Sequence, residues 1–243
     1  MEKKLDPAKS VVLVSGGLDS ITLLYYMRKL AFIKDGAPIA LSIHYGQRHF
    51  REIASAAKIC HSIGIEHVVI DATGAMECFM GGSQMDLSVP VPEGHYADDS
   101  MSLTVVPNRN MILLSMAIGL AISRGRGTVA YAAHAGDHPI YPDCRPEFVN
   151  ALQEAANLAW YDGVHLYAPF IRDSKADIVT YGAGMGVPFQ DTWSCYQGKD
   201  IHCGRCGTCI ERIEAFQIAG VEDPTQYQDK EFALDTIRRS ADV

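Results

Sequence analysis

Short apolar runs that alternate with amphipathic stretches narrow most sharply what this 243-residue chain can fold into. Runs of strand length occupy residues 11–14, 39–45, 67–71 and 128–133. Between and after them, residues 21–30, 52–63, 110–123 and 146–158 carry apolar side chains at the three- and four-residue spacing of a helix face. Connections of this length are what parallel strands require, so the pattern predicts an α/β fold: a doubly wound, mostly parallel sheet with helices on both faces. Such sheets bind ligands beyond the carboxyl ends of their strands. Residues 74–104 break the rhythm with Gly81, Gly82, Pro90, Pro92, Gly94 and the pair Asp98 and Asp99, and read as a long loop of the lid-forming or mobile kind. The polar tail after Gly220 is expected to order only by docking.

The composition suits a chain with a real core: 48% hydrophobic, 21% charged, mean hydropathy +0.01. Its 21 Lys and Arg against 29 Asp and Glu leave a net charge of −8, which opposes broad binding to nucleic-acid phosphates, so no direct nucleic-acid partner is expected. The longest apolar stretch, residues 111–122, is interrupted by Ser115 and Gly119 and falls short of the ~20 residues that cross a bilayer. The amino terminus is charged and lacks an apolar secretory core, and a cytoplasmic protein without membrane contact is expected.

Ser15-Gly16-Gly17-Leu18-Asp19-Ser20 follows the first strand and opens the first helix. Two glycines let backbone N–H groups approach an anion, and the helix amino terminus adds its dipole. Taken alone, the string also reads as a glycine turn with Asp19 or Ser20 capping the helix. It lacks the Gly-Lys-Ser/Thr of a Walker loop.

The second constellation is Cys195, Cys203, Cys206 and Cys209. Two-residue gaps turn successive thiolates toward one ion, and four sulfurs complete the tetrahedral shell of a structural Zn²⁺. An iron–sulfur cluster is the rival, since it too takes four cysteines. An odd count of seven Cys, three of them this close, fits a metal site in a reducing compartment better than disulfides. Cys60 and Cys78 read as core or loop residues without a catalytic part.

Three further strings lie at strand ends or helix starts: Tyr45-Gly46-Gln47-Arg48-His49, Val106-Pro107-Asn108-Arg109-Asn110 and Tyr141-Pro142-Asp143-Cys144-Arg145. Each falls on the edge where an α/β sheet binds ligands. Lys175, at a helix start in Asp173-Ser174-Lys175, is a further cation, alongside Arg109 and Arg48, that could neutralise a bound anion. Asp137 and Asp143 add carboxylates near strand ends, each able to accept two parallel N–H groups.

The glycine-serine string resembles the PP-loop of the ATP pyrophosphatases, a superfamily that includes asparagine, GMP and NAD synthetases, tRNA thiolases and lysidine-forming enzymes. Together with Thr192-Trp193-Ser194-Cys195-Tyr196 and the cysteine cluster, all in one order, the strings resemble the 7-cyano-7-deazaguanine synthase family from about residue 11 to 224. The resemblance implies a PP-loop (Rossmann-like) ATP-binding domain over residues 1–190 and a zinc-binding segment with a C-terminal helix over 191–243. It implies ATP, Mg²⁺ and a structural Zn²⁺, a homodimer, and conversion of 7-carboxy-7-deazaguanine and ammonia to the nitrile in queuosine or archaeosine biosynthesis. Ser15, Gly16, Gly17, Leu18, Asp19, Ser20 and Arg48 are then expected at ATP, Asp19, Lys175 and Arg109 at the chemistry, and Tyr45, Gln47, Asp137, Tyr141, Asp143 and Arg145 at the substrate. Two departures stand out: Asn108 where the family more often has Gly, and His134-Ala135-Gly136-Asp137 where it has a Cys-Glu-Thr-Asp string. A PP-loop tRNA-modifying enzyme, a deazaguanine enzyme with another acceptor, and a non-catalytic nucleotide sensor of the same fold are the alternatives.

Overall fold

The computed structural model describes residues 4–48, 51–79, 82–86, 88–96, 98–197 and 200–241; His49 and Gly81 lie outside them. Five strands, β1 (Ser10–Leu13), β2 (Ile39–His44), β3 (His67–Asp71), β4 (Thr128–Ala130) and β5 (His165–Tyr167), form one sheet in the order β3-β2-β1-β4-β5. Every neighbouring pair is parallel. The helices are α1 (Leu18–Phe32), α2 (Arg51–Ser62), the single turn α3 (Thr73–Met76), α4 (Arg109–Ser123), α5 (Pro146–Leu158), α6 (Lys175–Met185), α7 (Gly207–Ala219) and α8 (Lys230–Ala241).

The two-residue period of the strands sorts their side chains onto two faces. Val11, Leu41 and Val129 pack with Leu114 and Ala117 of α4 and Leu152 of α5. Val12, Ala40 and Ala130 pack on the other face with Leu24 of α1, Ile59 of α2, Val179 of α6 and Phe216 of α7. Both faces are covered, which is why these strands read as unbroken apolar runs. The strand and helix expectations hold to within a few residues, and β5 is an addition: three residues are too few to show a pattern.

Topology creates the crevice. From β1 the chain winds outward through β2 and β3, and it then returns to add β4 and β5 on the other side of β1. The connections leaving β1 and β4 therefore diverge and open a gap above their carboxyl ends.

Residues 74–104, expected as a loop, instead hold short helices at Glu77–Phe79 and Asp99–Thr104, and described residues among them are docked. Tyr96 and Met101 are buried in the α4 face of the core. Glu93 bridges Cys206, and the Gly94 N–H donates to the Arg205 carbonyl at 3.1 Å. The tail docks as expected: Ala233 of α8 is buried against Ile210 and Ile213 of α7. No helix among the described residues is long and apolar enough to cross a membrane.

Candidate functional site

The β1–α1 turn is built as an anion cradle. Gly16 has φ +93°, and a Cβ there would stand 2.0 Å from the Glu52 carbonyl oxygen, so only glycine fits. The Gly16 carbonyl is pinned by the Trp193 N–H at 2.9 Å. The Ser20 hydroxyl accepts from the Ser15 N–H at 3.1 Å and lies 3.1 Å from the Ser15 hydroxyl, which ties the loop shut on itself. No side chain caps α1 at Gly17, so the N–H groups of its first turn, Leu18, Asp19 and Ser20, have no intrahelical partner.

Around this turn a cleft of about 230 Å³ opens at the β1/β4 switch point. At one end lies a buried ion network. The Lys175 ammonium, at the start of α6, sits 2.7 Å from Glu211 Oε2 and 3.2 Å from Asp19 Oδ2. Lys175 is aimed there by a capping box in which Ser174 and Asp177 satisfy each other's backbone N–H groups. Burial alone would raise the Asp19 carboxyl, but Lys175 and His134 hold it below its usual range. Burial lifts Glu211, with Lys175 opposing. His134 is buried; its Nδ1 accepts from the Gly136 N–H, which directs Nε2 toward Asp137 Oδ2 at 3.6 Å and Asp19 Oδ2 at 4.0 Å. The Tyr96 hydroxyl donates to Asp137 Oδ1 at 3.1 Å.

At the other end Arg109 lies against the Tyr141 ring, its Cζ 5.6 Å from the centroid, and beside Tyr45 and Tyr196. Among the described residues no carboxylate comes within 4.0 Å of it. Glu52 lines the same end, and burial lifts its carboxyl to about 8 against the pull of Arg109. Three polar atoms of cleft residues are buried without a partner: Asp19 Oδ1, Tyr131 Oη and Gln84 Nε2. Each is therefore available to a polar group that enters the cleft.

The cleft thus brings together Ser15, Gly17, Leu18, Asp19 and Ser20 with Tyr45, Gln47 and Arg109 and with Asp137, Tyr141 and Lys175. Gln47 contributes little free polarity, because its amide accepts from the Tyr45 N–H and donates to the Ile43 carbonyl. Three expected residues are engaged elsewhere. Arg48 donates to the Asp86 and Val89 carbonyls, 3.0 Å each, and so staples the docked segment rather than facing the cradle. Arg145 is exposed and donates to the His138 carbonyl. Asp143 accepts the Asn110 N–H at 2.9 Å and its side-chain amide at 3.3 Å, which caps α4 from outside, and it is not among the residues that line the cleft. The Asn108 departure has a physical reason: φ there is +57°, a left-handed conformation that Gly and Asn tolerate best.

Sequence reasoning missed Glu52, Gln84, Tyr96, Tyr131 and Glu211. Glu52 and Tyr131 do follow strand ends, but the others come from segments that only folding brings near.

The four cysteines come together as expected. All four sulfurs lie within 4.8 Å of one another and are buried. The N–H groups of Gln197 and Cys203 donate to Cys195 Sγ, and those of Arg205 and Cys206 to Cys203 Sγ, at 3.3 Å each. The set suits a single metal ion. The cluster sits close to the cleft because α7 starts at Gly207, inside it, and carries Glu211 to Lys175. Arg212, fully buried, ties the preceding segment to α7 through Thr192 Oγ1, Ser194 Oγ and the Phe189 carbonyl.

Fold and cleft together define a parallel α/β protein of the PP-loop type, with its anion cradle at the topological switch point. The sequence matches the family described as queuosine biosynthesis protein QueC over residues 9–220. It is 50% identical over 226 residues to a 7-cyano-7-deazaguanine synthase of Rhizobium rhizogenes, covering 92% of this chain and 94% of that protein. It is 46% identical over 220 residues to one of Pseudoalteromonas translucida, covering 90% and 99%. A solved U34-tRNA thiolase from Methanococcus maripaludis is similar at 15% identity and a TM-score of 0.48, over 98% of this chain and 73% of that one. The chain belongs to the QueC family of queuosine biosynthesis enzymes.

Proposed function

We propose that the chain converts 7-carboxy-7-deazaguanine and ammonia with ATP to 7-cyano-7-deazaguanine, the product its relatives' name gives. The observation that carries this reading is one cleft holding an uncapped glycine-serine cradle and a guanidinium that has no carboxylate partner among the described residues. The cradle suits pyrophosphate, and Arg109 suits the carboxylate of the substrate.

A carboxylate resists ammonia because its leaving group would be oxide. Transfer of AMP onto its oxygen replaces that with a good leaving group, and pyrophosphate departs into the cradle formed by the α1 N–H groups and the Ser15 and Ser20 hydroxyls. Lys175, fixed by Asp19 and Glu211, supplies positive charge at the transferring phosphorus. Ammonia then displaces AMP to give the amide, and a second activation of the amide oxygen permits its loss as the nitrile forms. Asp137 is the acceptor for the ring N–H and amino groups, with the Tyr131 hydroxyl and Gln84 amide as further contacts. In this reading Asp143 acts on substrate only by holding the start of α4, and with it Arg109.

Asp19 Oδ1, buried and unpartnered, fits a Mg²⁺ ion, which when bound neutralises phosphate charge. For the cysteines the proposal is Zn²⁺. A Zn–S distance of about 2.3 Å sets tetrahedral sulfur–sulfur edges of about 3.8 Å, and Cys203 and Cys209 Sγ are 3.9 Å apart. A multi-iron cluster would spread the four thiolates over separate metal ions. Residues 1–190 would carry the ATP chemistry and residues 191–243 the metal, with Ser194, Tyr196 and Thr208 of the second part also lining the cleft. The proposal extends to a homodimer in the cytoplasm, a reducing compartment that suits seven cysteines of which none is in a disulfide.

The test is mass spectrometry of products from the purified chain with 7-carboxy-7-deazaguanine, ammonia, ATP and Mg²⁺. The expected products are the nitrile, AMP and pyrophosphate. Absence of the nitrile, or release of ADP, would overturn the reading.

A further inference from the structure

We propose that Glu52 is the catalytic base that takes a proton from ammonium and so frees the lone pair that forms the carbon–nitrogen bond. The inference rests on the activity proposed above and adds a residue to it. Glu52 stands in the first turn of α2, its backbone pressed against Gly16 of the cradle and its side chain lining the cleft. Among the described residues no hydrogen-bond donor or ion-pair partner engages its carboxylate. The charged and titratable groups near it are Arg109 of α4, Tyr45 after β2, and Tyr196, which follows Cys195.

Elimination points the same way. Three carboxylates line the cleft: Asp19, Glu52 and Asp137. Asp19 is paired to Lys175, and its lowered proton affinity makes it a poor base. Asp137 accepts from Tyr96 and faces His134. Glu52 alone is uncommitted, and a carboxyl lifted to about 8 by burial matches a proton transfer near neutral pH.

The charge balance supplies the reason a base is needed. At neutral pH ammonia is mostly ammonium, which has no lone pair to attack with, and the Arg109 guanidinium disfavours a second cation beside it. With the substrate acyl group held at Arg109 as its adenylate, ammonium gives one proton to the Glu52 carboxylate and attacks as ammonia, and the nitrogen loses its second proton to solvent. The carbon–nitrogen bond forms, the carbon–oxygen bond to AMP breaks, and AMP leaves with that electron pair. The Glu52 carboxylic acid then returns its proton to solvent.

The experiment compares two nucleophiles on the full chain carrying Glu52→Gln. Hydroxylamine is neutral at the pH where ammonia is protonated, so it needs no base. Amide formation with ammonia should fall by about 10²- to 10⁴-fold, while hydroxamate formation and 7-carboxy-7-deazaguanine-dependent exchange of pyrophosphate into ATP persist. Glu52→Asp, which keeps the carboxylate, should retain part of the ammonia reaction; it also decides the matter if the glutamine variant does not fold. Undiminished ammonia turnover, or equal loss of all three reactions, would overturn the assignment. Absence of exchange in the unaltered chain would instead refute the proposed function itself.

Discussion

Lys175→Met removes the one ammonium that holds two buried carboxylates together, and its effect on stability can be worked from the structure. At 3.2 Å from Asp19 and 2.7 Å from Glu211, the gross attractions are about 5 and 6 kcal/mol at an effective dielectric near 20. Desolvation of a side chain only 10% exposed cancels much of that, so the pair as formed adds little net stability. Deletion is different, because both carboxylates stay buried without their cation, at a cost of about 3–5 kcal/mol. For a chain of this size that corresponds to a fall in Tm of about 6–20 °C. The sign of the pH dependence follows. In the parent, the depressed Asp19 carboxyl contributes stability that is full above its unfolded value and lost as pH falls through the folded one. In the variant, Asp19 and Glu211 both titrate above their unfolded values. They therefore bind protons in the folded state, and stability declines as pH rises through that window. The two curves should converge in acid and separate toward neutrality. Urea denaturation from acid to neutral pH, scored on midpoint and slope, tests this. A deficit below about 1 kcal/mol, or one that does not change with pH, would show that the carboxylates are hydrated and that the argument from burial is wrong.

Metal analysis should find one zinc per chain, and Cys206→Ser should cost folding or solubility before chemistry, since opening a structural site removes folding energy; iron with labile sulfide would refute the assignment. Asp143→Ala should lower stability by about 0.5–2 kcal/mol through the lost cap on α4, with weaker substrate binding only through displacement of Arg109. Calorimetry showing a large loss of substrate affinity at unchanged melting temperature would return Asp143 to the ligand. Gly16→Ala should abolish ATP binding while far-UV circular dichroism is retained, because the new methyl would stand 2.0 Å from the Glu52 carbonyl. Normal ATP affinity would refute that close approach.

Local chemistry was open to reading without a fold. The apolar runs specify four of the five strands, most plainly β1, β2 and β4, whose residues are covered on both faces. The Ser15 to Ser20 turn declares itself through Gly16, whose backbone geometry no other residue can take, and the cysteine spacing declares a metal site through the reach of adjacent thiolates. What a charged residue touches is another matter. Arg48, Asp143 and Arg145 stand in suggestive strings at strand ends, yet the first holds carbonyls of the docked segment, the second caps α4, and the third is exposed. Side chains of that length reach several backbones, and sequence does not say which. Conversely, Glu211 lies 36 residues from Lys175 along the chain and 2.7 Å from it in space, and Glu52 faces Arg109 only because β1 and β2 are neighbours in the sheet. Segment by segment, then, the sequence determined which elements form and where an anion and a metal can be held. Tertiary structure alone decided which carboxylates are neutralised and which is left free, because burial and the distances between charges exist only once the sheet order has set α1, α2, α4, α6 and α7 around one switch point.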